Sequence, residues 1–101
     1  MVMRWNNEGD ACYTTESGVA FVDQLVLARA VLGCTEGNTI DVKLYEGQAE
    51  DNERMITRLA FTTPAGIAMA AQPFELGFVA SEGLYIKIEG TGAVTLIKGR
   101  K

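Results

Sequence analysis

The chain has 101 residues, 48% of them hydrophobic and 22% charged, with a formal net charge of −4. This length suits one domain and the apolar fraction is sufficient for a packed core, which argues against a second domain and against a disordered chain. The nine basic residues form no stripe, so we expect no nucleic-acid partner. We expect residues 1–18 to form an N-terminal arm with a first short strand, and residues 19–101 to form the domain.

The first residues, MVMRWNNEGD, contain no continuous apolar run of the length that export requires. No stretch approaches the ~20 apolar residues of a membrane helix. We therefore expect no signal peptide, no membrane contact and synthesis in a cytoplasm-like compartment.

The cysteines suggest neither a metal site nor a redox motif. Cys12 and Cys34 lie far apart in the sequence, no CxxC pair is present, and the chain contains no histidine. We expect two unpaired thiols in a reducing compartment, with a disulfide as the alternative if the protein ends up outside the cell.

Strict alternation marks residues 39–45 as a strand. Ile40, Val42 and Leu44 fall on one side, as in a strand with one buried face. The next stretch, residues 48–54, carries too many charges to bury and predicts an exposed loop. Residues 55–61 alternate again and are predicted to pair with the preceding strand.

The C-terminal part contains two further alternating runs, residues 84–89 and 93–98. The short sequence Gly-Thr-Gly at 90–92 joins them. A glycine-containing turn between two alternating runs predicts a hairpin.

Two segments leave the choice between helix and strand open. Residues 23–33 have a plausible N-cap at Asp23 and a stop at Gly33, which favours a short helix. The same segment also fits a long strand with even-numbered apolar residues on one face. Residues 65–71 are similarly ambiguous, but Pro64 and Pro73 confine them to a length typical of a strand.

The whole chain contains seven or eight short candidate strands, with turn signals at intervals of about ten residues. The candidates are residues 11–14, 19–32, 39–45, 55–61, 67–71, 74–78, 84–89 and 93–98. Tight connections leave no room for crossover helices, so the strands should pair antiparallel. The predicted fold is all-β, an antiparallel β-sandwich with jelly-roll character.

Two stretches resemble a known group of proteins. Residues 42–47 (VKLYEG), followed by a polar loop and a strand, and residues 83–94 (GLYIKIEGTGAV) resemble the small β-sandwich structural proteins encoded among phage head and tail genes. The resemblance covers about residues 20–98 and favours a strand over residues 23–33. Residues 63–72 depart from it, because they are richer in alanine and methionine than the polar strand expected there.

The resemblance implies a virion component, such as a capsid decoration (cement) protein, a head-fibre base or a tail accessory protein. It implies no catalytic residues, and it makes the major capsid protein or another virion protein the expected partner. The protein would be synthesised in the host cytoplasm and end in the virion. We also expect self-association as a homo-oligomer, with a trimer as the working guess.

The residues offer little catalytic chemistry. Without histidine there is no Ser–His or Cys–His pair and no imidazole base. Four carboxylates surround one loop: Glu46, Glu50, Asp51 and Glu53. They lack the apolar pocket of paired catalytic carboxylates and the residue spacing of an EF-hand calcium loop. We expect no enzyme, no cofactor and no metal.

Surplus apolar residues indicate binding instead. The candidate interface consists of residues that fall opposite their neighbours' core positions or outside the alternating runs: Trp5, Phe21, Tyr45, Met69, Tyr85 and Ile97. One contiguous exposed patch of such residues would mark a protein interface. Trp5 either anchors an arm on a neighbouring subunit or folds back on its own domain. The alternative function is a carbohydrate- or receptor-binding sandwich, which needs a cluster of exposed aromatics.

Overall fold

The protein is built from eight β-strands. The computed structural model describes residues 11–21 and 24–99, so the predicted arm residue Trp5 lies outside the described residues. The strands are β1 (Ala11–Thr14), β2 (Gly18–Phe21), β3 (Leu25–Thr35), β4 (Thr39–Glu46), β5 (Met55–Thr62), β6 (Met69–Ala80), β7 (Leu84–Gly90) and β8 (Ala93–Lys98). A 3-10 turn, Asn52–Arg54, precedes β5. Within the described ranges no helix is long and apolar enough to span a membrane.

The strands pair in a nested order. β1 pairs with β8, β2 with β7, β3 with β6 and β4 with β5, always antiparallel. The nested pairs together resemble one long hairpin. β3 also pairs with β8, and β4 also pairs with β7, so that the pairs are arranged in two four-stranded sheets. We call them the β3 sheet (β1-β8-β3-β6) and the β4 sheet (β2-β7-β4-β5). This topology is a jelly roll, and the predicted antiparallel sandwich is confirmed.

The core lies between the two sheets. The β4 sheet contributes the alternating inward residues of β4 and β7, such as Leu44 and Ile86, which are fully buried. The β3 sheet contributes Leu32 and Leu96, which are also fully buried. Because each strand presents every second side chain to this layer, the alternation seen in the sequence predicted the inward faces of β4, β7 and β8.

Cys34 and Thr63 belong to the buried residues beside the loop that leads into β6. The Thr63 hydroxyl donates to the Cys34 carbonyl oxygen at 2.8 Å and lies 3.1 Å from the Cys34 Sγ. Cys34 is a free thiol, as expected from the sequence. The Cys12 side chain lies outside what the structure describes.

Of the segment at residues 23–33, residues 25–33 belong to strand β3 and not to a helix, because their backbone pairs with β6 on one side and β8 on the other. The predicted even-numbered inward face holds only from Ala30 onward. A register shift between Leu27 and Arg29 interrupts the alternation, so Leu27 and Ala30 are both buried. The bulge exchanges the two faces of β3 at this point.

The turn at residues 90–92 does not form the predicted hairpin. β7 belongs to the β4 sheet and β8 to the β3 sheet, so the turn carries the chain from one sheet to the other. The Thr91 amide donates to the Thr39 carbonyl at 3.1 Å. A Cβ at Gly92 would lie 2.5 Å from the Gly33 carbonyl oxygen. Alternation identifies the buried face of a strand but does not identify its partner, which explains the error.

Three predicted strands have different limits in the structure. The candidate at residues 19–32 divides into β2 and β3, which lie in different sheets. The candidates at residues 67–71 and 74–78 merge into the single strand β6, which begins at Met69 and continues through Pro73. A proline is tolerated there because β6 is an edge strand, where an amide can face away from the ladder.

Gly90 provides a test of how tightly the inter-sheet turn fits. Gly90 and Gly66 have similar left-handed φ angles, +88° and +91°. A Cβ atom added at Gly90 would overlap the Thr39 carbonyl, whereas a Cβ atom added at Gly66 would have no neighbour within 4 Å. We expect Gly66→Ala to lower the free energy of unfolding by about 1 kcal/mol and Gly90→Ala by about 3 kcal/mol or more. Urea denaturation measures both, and equal losses would contradict the close approach.

Candidate interaction surface

The structure does not gather the predicted interface residues into one patch. Met69 and Ile97 lie on the outer face of the β3 sheet, whereas Tyr45 and Tyr85 lie side by side on the outer face of the β4 sheet. Phe21 packs against the core. The described residues of the set therefore occupy opposite sides of the sandwich.

Tyr45 is fully buried, contrary to its expected exposure. Its ring lies beside that of Tyr85, with ring centres 6.2 Å apart. The loop after β4 returns over this face, because Lys87 donates to Glu50 at 2.9 Å. The Tyr45 hydroxyl has no hydrogen-bond partner among the described residues, and its desolvation raises its pKa. The sequence pattern identified the face of Tyr45 but not the loop that covers it.

The outer face of the β4 sheet also carries several charged side chains. Arg58 donates three hydrogen bonds of 2.5–3.1 Å to Asp41. Lys87 also pairs with Glu89 at 3.6 Å, in addition to its bond with Glu50. Ion pairs of this kind contribute little to stability at a surface, and removing them from water is costly. This face is therefore suited to solvent.

The outer face of the β3 sheet is mostly uncharged, and we call it the neutral face. Three of its side chains are large, apolar and well exposed: Tyr13 (67%), Met69 (71%) and Val79 (52%). Between them, the register aligns Val31 with Thr95 on one side and with Pro73 on the other. In the described part of the chain, the ion pair on this face is Arg29–Glu75, at 2.6 Å.

A depression of about 670 Å³ lies in the neutral face. The register places Ala93, Gly33 and Ala71 in one row across three strands. None of the three has a side chain beyond Cβ, so they form a low floor, with Tyr13 and Met69 also in the lining. Besides the Tyr13 hydroxyl, the polar groups of the lining are the threonine hydroxyls and one thiol: Thr15, Thr35, Thr91, Thr95 and Cys34. No charged side chain contributes to the described lining.

Tyr13 and Val79 were not predicted as surface residues. Alternation in a four-residue strand is too short to assign the face of Tyr13. Val79 was outside the candidate strand at residues 74–78, because that strand was predicted to end before it. Gly33 was considered only as a helix stop, although it lies in the floor of the depression.

No family model matches the chain, and no curated protein sequence matches it. Among solved structures, it is similar to Eiger TNF from S. frugiperda, with 9% identity and a TM-score of 0.40 over 98% of this chain and 69% of that chain. It is also similar to the Tobacco streak virus coat protein, with 10% identity and a TM-score of 0.30 over 95% and 89% of the two chains. A third similar structure is murine APRIL, with 14% identity and a TM-score of 0.31 over 89% of this chain and 73% of that chain. Similarity at this level does not bear on function.

Tyr45→Phe tests the burial of the unpartnered hydroxyl. Because the hydroxyl is desolvated without a hydrogen bond, its removal should leave the free energy of unfolding unchanged or raise it by about 1 kcal/mol. Urea denaturation measures this difference. A loss of stability on removing the hydroxyl would show that it has a partner.

Asp41→Asn tests the charged face through pH. The hydrogen bonds from Arg58 and its positive charge lower the pKa of Asp41, despite the opposing effect of partial burial. The stabilisation is therefore complete above the unfolded pKa of about 3.9 and is lost as pH falls through the lower folded pKa. Urea midpoints below about pH 4 should fall more steeply for the wild type than for Asp41→Asn. Glu53→Gln, the charge-matched control in the exposed loop, should keep the wild-type slope; parallel wild-type and Asp41→Asn profiles would contradict the assignment.

Proposed function

We propose that this protein is a non-enzymatic structural component of a phage virion, specifically a capsid decoration protein that binds the assembled head through its neutral face. The observation that carries the proposal is the contrast between the two outer faces of the sandwich. One face has exposed apolar side chains such as Met69 and Val79, and the other has ion pairs such as Asp41–Arg58. A subunit that coats a shell needs one face for the shell and one for solvent.

The dimensions of the neutral face are adequate for such contact. The described part of the chain measures 41 × 30 × 24 Å. Its broad side is larger than the roughly 800 Å² that each partner contributes to a specific interface. The backbone that carries these side chains is already ordered by strand pairing, so binding need not order it, which favours affinity.

The proposed mechanism is mass action. A subunit that binds the assembled shell but not the free capsid protein lowers the free energy of the shell. No chemical step is required of the subunit, in keeping with a sequence that lacks histidine. The stabilisation grows with the free concentration of the decoration protein relative to its dissociation constant.

One observation favours a second candidate, a carbohydrate-binding sandwich. The exposed Tyr13 ring stands beside the hydroxyl groups of Thr15 and Thr95 in the depression. An aromatic surface next to polar groups suits a sugar ring. A glycan array separates the two candidates, because a decoration protein binds no glycan on it.

Val79→Glu tests the neutral face as the shell contact. A carboxylate there should weaken binding to the shell at least about tenfold, because the charge would be buried in the interface. Met55→Glu is the matched control, since Met55 is an exposed apolar residue on edge strand β5 of the opposite sheet. The measurement is co-sedimentation with undecorated capsids assembled from the major capsid protein of the same genome.

We expect the wild type and Met55→Glu to saturate the capsids, and Val79→Glu to remain in the supernatant. A wild-type protein that ignores the capsids would overturn the decoration function. Equal binding by both variants would overturn the assignment of the neutral face.

A further inference from the structure

We infer that the depression in the neutral face receives Trp5 from the N-terminal arm of a second copy of this chain. Trp5 is the single tryptophan in the sequence. The inference goes beyond the proposed shell binding, rests on the homo-oligomer expected from the sequence, and names the group that fills this site.

The depression suits a large, flat and apolar group. Its floor is a row of residues without side chains beyond Cβ, and its volume of about 670 Å³ exceeds that of an indole ring. Tyr13 and Met69, which are 67% and 71% exposed, would lose solvent contact to such a ring. A tryptophan buries about 150–250 Å², and its indole N–H requires an acceptor. The threonine hydroxyls of the lining are suitable acceptors.

The arm leaves the domain at the edge of the same sheet. β1 is an edge strand of the β3 sheet, and its residue Tyr13 lines the depression. Trp5 precedes Ala11, the first residue of β1, by six positions. Six residues span at most ~20 Å, which is enough to reach a molecule in contact with this edge.

The direction of β1 favours a second copy over the arm's own depression. Ala11 lies opposite Ile97, and Thr14 lies opposite Val94. The depression is lined by Thr15, which follows Thr14, so β1 runs from Ala11 toward the depression. The arm therefore joins β1 at Ala11, the end farther from the depression. An arm that continues the line of β1 beyond this end leads away from the depression of its own subunit. A second copy whose β1 approaches antiparallel brings its Thr15 end beside that arm. Edge strands offer backbone groups for such pairing.

Tryptophan fluorescence tests the inference, because Trp5 is the sole source of indole emission. The test uses the full chain without capsids, so its outcome is independent of the co-sedimentation result. We expect blue-shifted emission at high protein concentration and a red shift on dilution, in parallel with the loss of mass seen by light scattering. Both changes should have the same midpoint concentration.

Ala71→Glu places a carboxylate in the floor of the depression and should raise the midpoint concentration at least about tenfold. Ala60→Glu is the matched control, because Ala60 is also an exposed alanine on an edge strand, in the opposite sheet. It should keep the wild-type midpoint. Circular dichroism checks that each variant folds, and Met69→Glu replaces Ala71→Glu if the latter does not.

Three results would overturn the inference. Emission typical of water-exposed indole at every concentration would show that Trp5 does not dock. Blue-shifted emission from a chain that light scattering shows to be a monomer would show that the arm folds back on its own domain. A depression variant with the wild-type midpoint would show that Trp5 is buried elsewhere.

Discussion

The structure depends on the nested antiparallel pairing of the chain with itself. β1 at one end of the described chain pairs with β8 at the other, so the sandwich closes only when distant segments meet. The turn at residues 90–92 is where this closure is tightest, since Gly90 and Gly92 approach backbone atoms of both sheets. A long-range topology of this kind folds slowly, and its stability depends on backbone fit at the sheet crossings as well as on apolar burial.

The same pairing gives the sandwich two different outer faces. The register of β4 with β5 and β7 brings charged side chains together on one outer face, where Arg58 pairs diagonally with Asp41. Tyr45 is buried on the same face beside Tyr85. The register of β3 with β6 and β8 aligns small residues into a low row around Gly33. Neither arrangement exists in a single strand, because each requires neighbouring strands in register. The neutral face and its depression are therefore products of topology.

The sequence predicted the features that depend on one strand at a time. Alternation identified the inward faces of β4 and β7, and the composition of the loop at residues 48–54 predicted its exposure. It could not predict which strands are neighbours, which is why the turn at 90–92 was mistaken for a hairpin. It also could not predict that Tyr45 is covered or that Gly33 lies in a binding-sized depression, because both depend on segments remote in sequence.

Hydrogen exchange of the protein bound to capsids, compared with the free protein, tests the central claim that the neutral face is the contact surface. Amides at the open edge of β6 exchange readily unless a partner shields them. The account predicts slower exchange in β6 on binding and unchanged exchange in β2 and β5, the edges of the opposite sheet. Slower exchange in β2 and β5, with β6 unchanged, would contradict it.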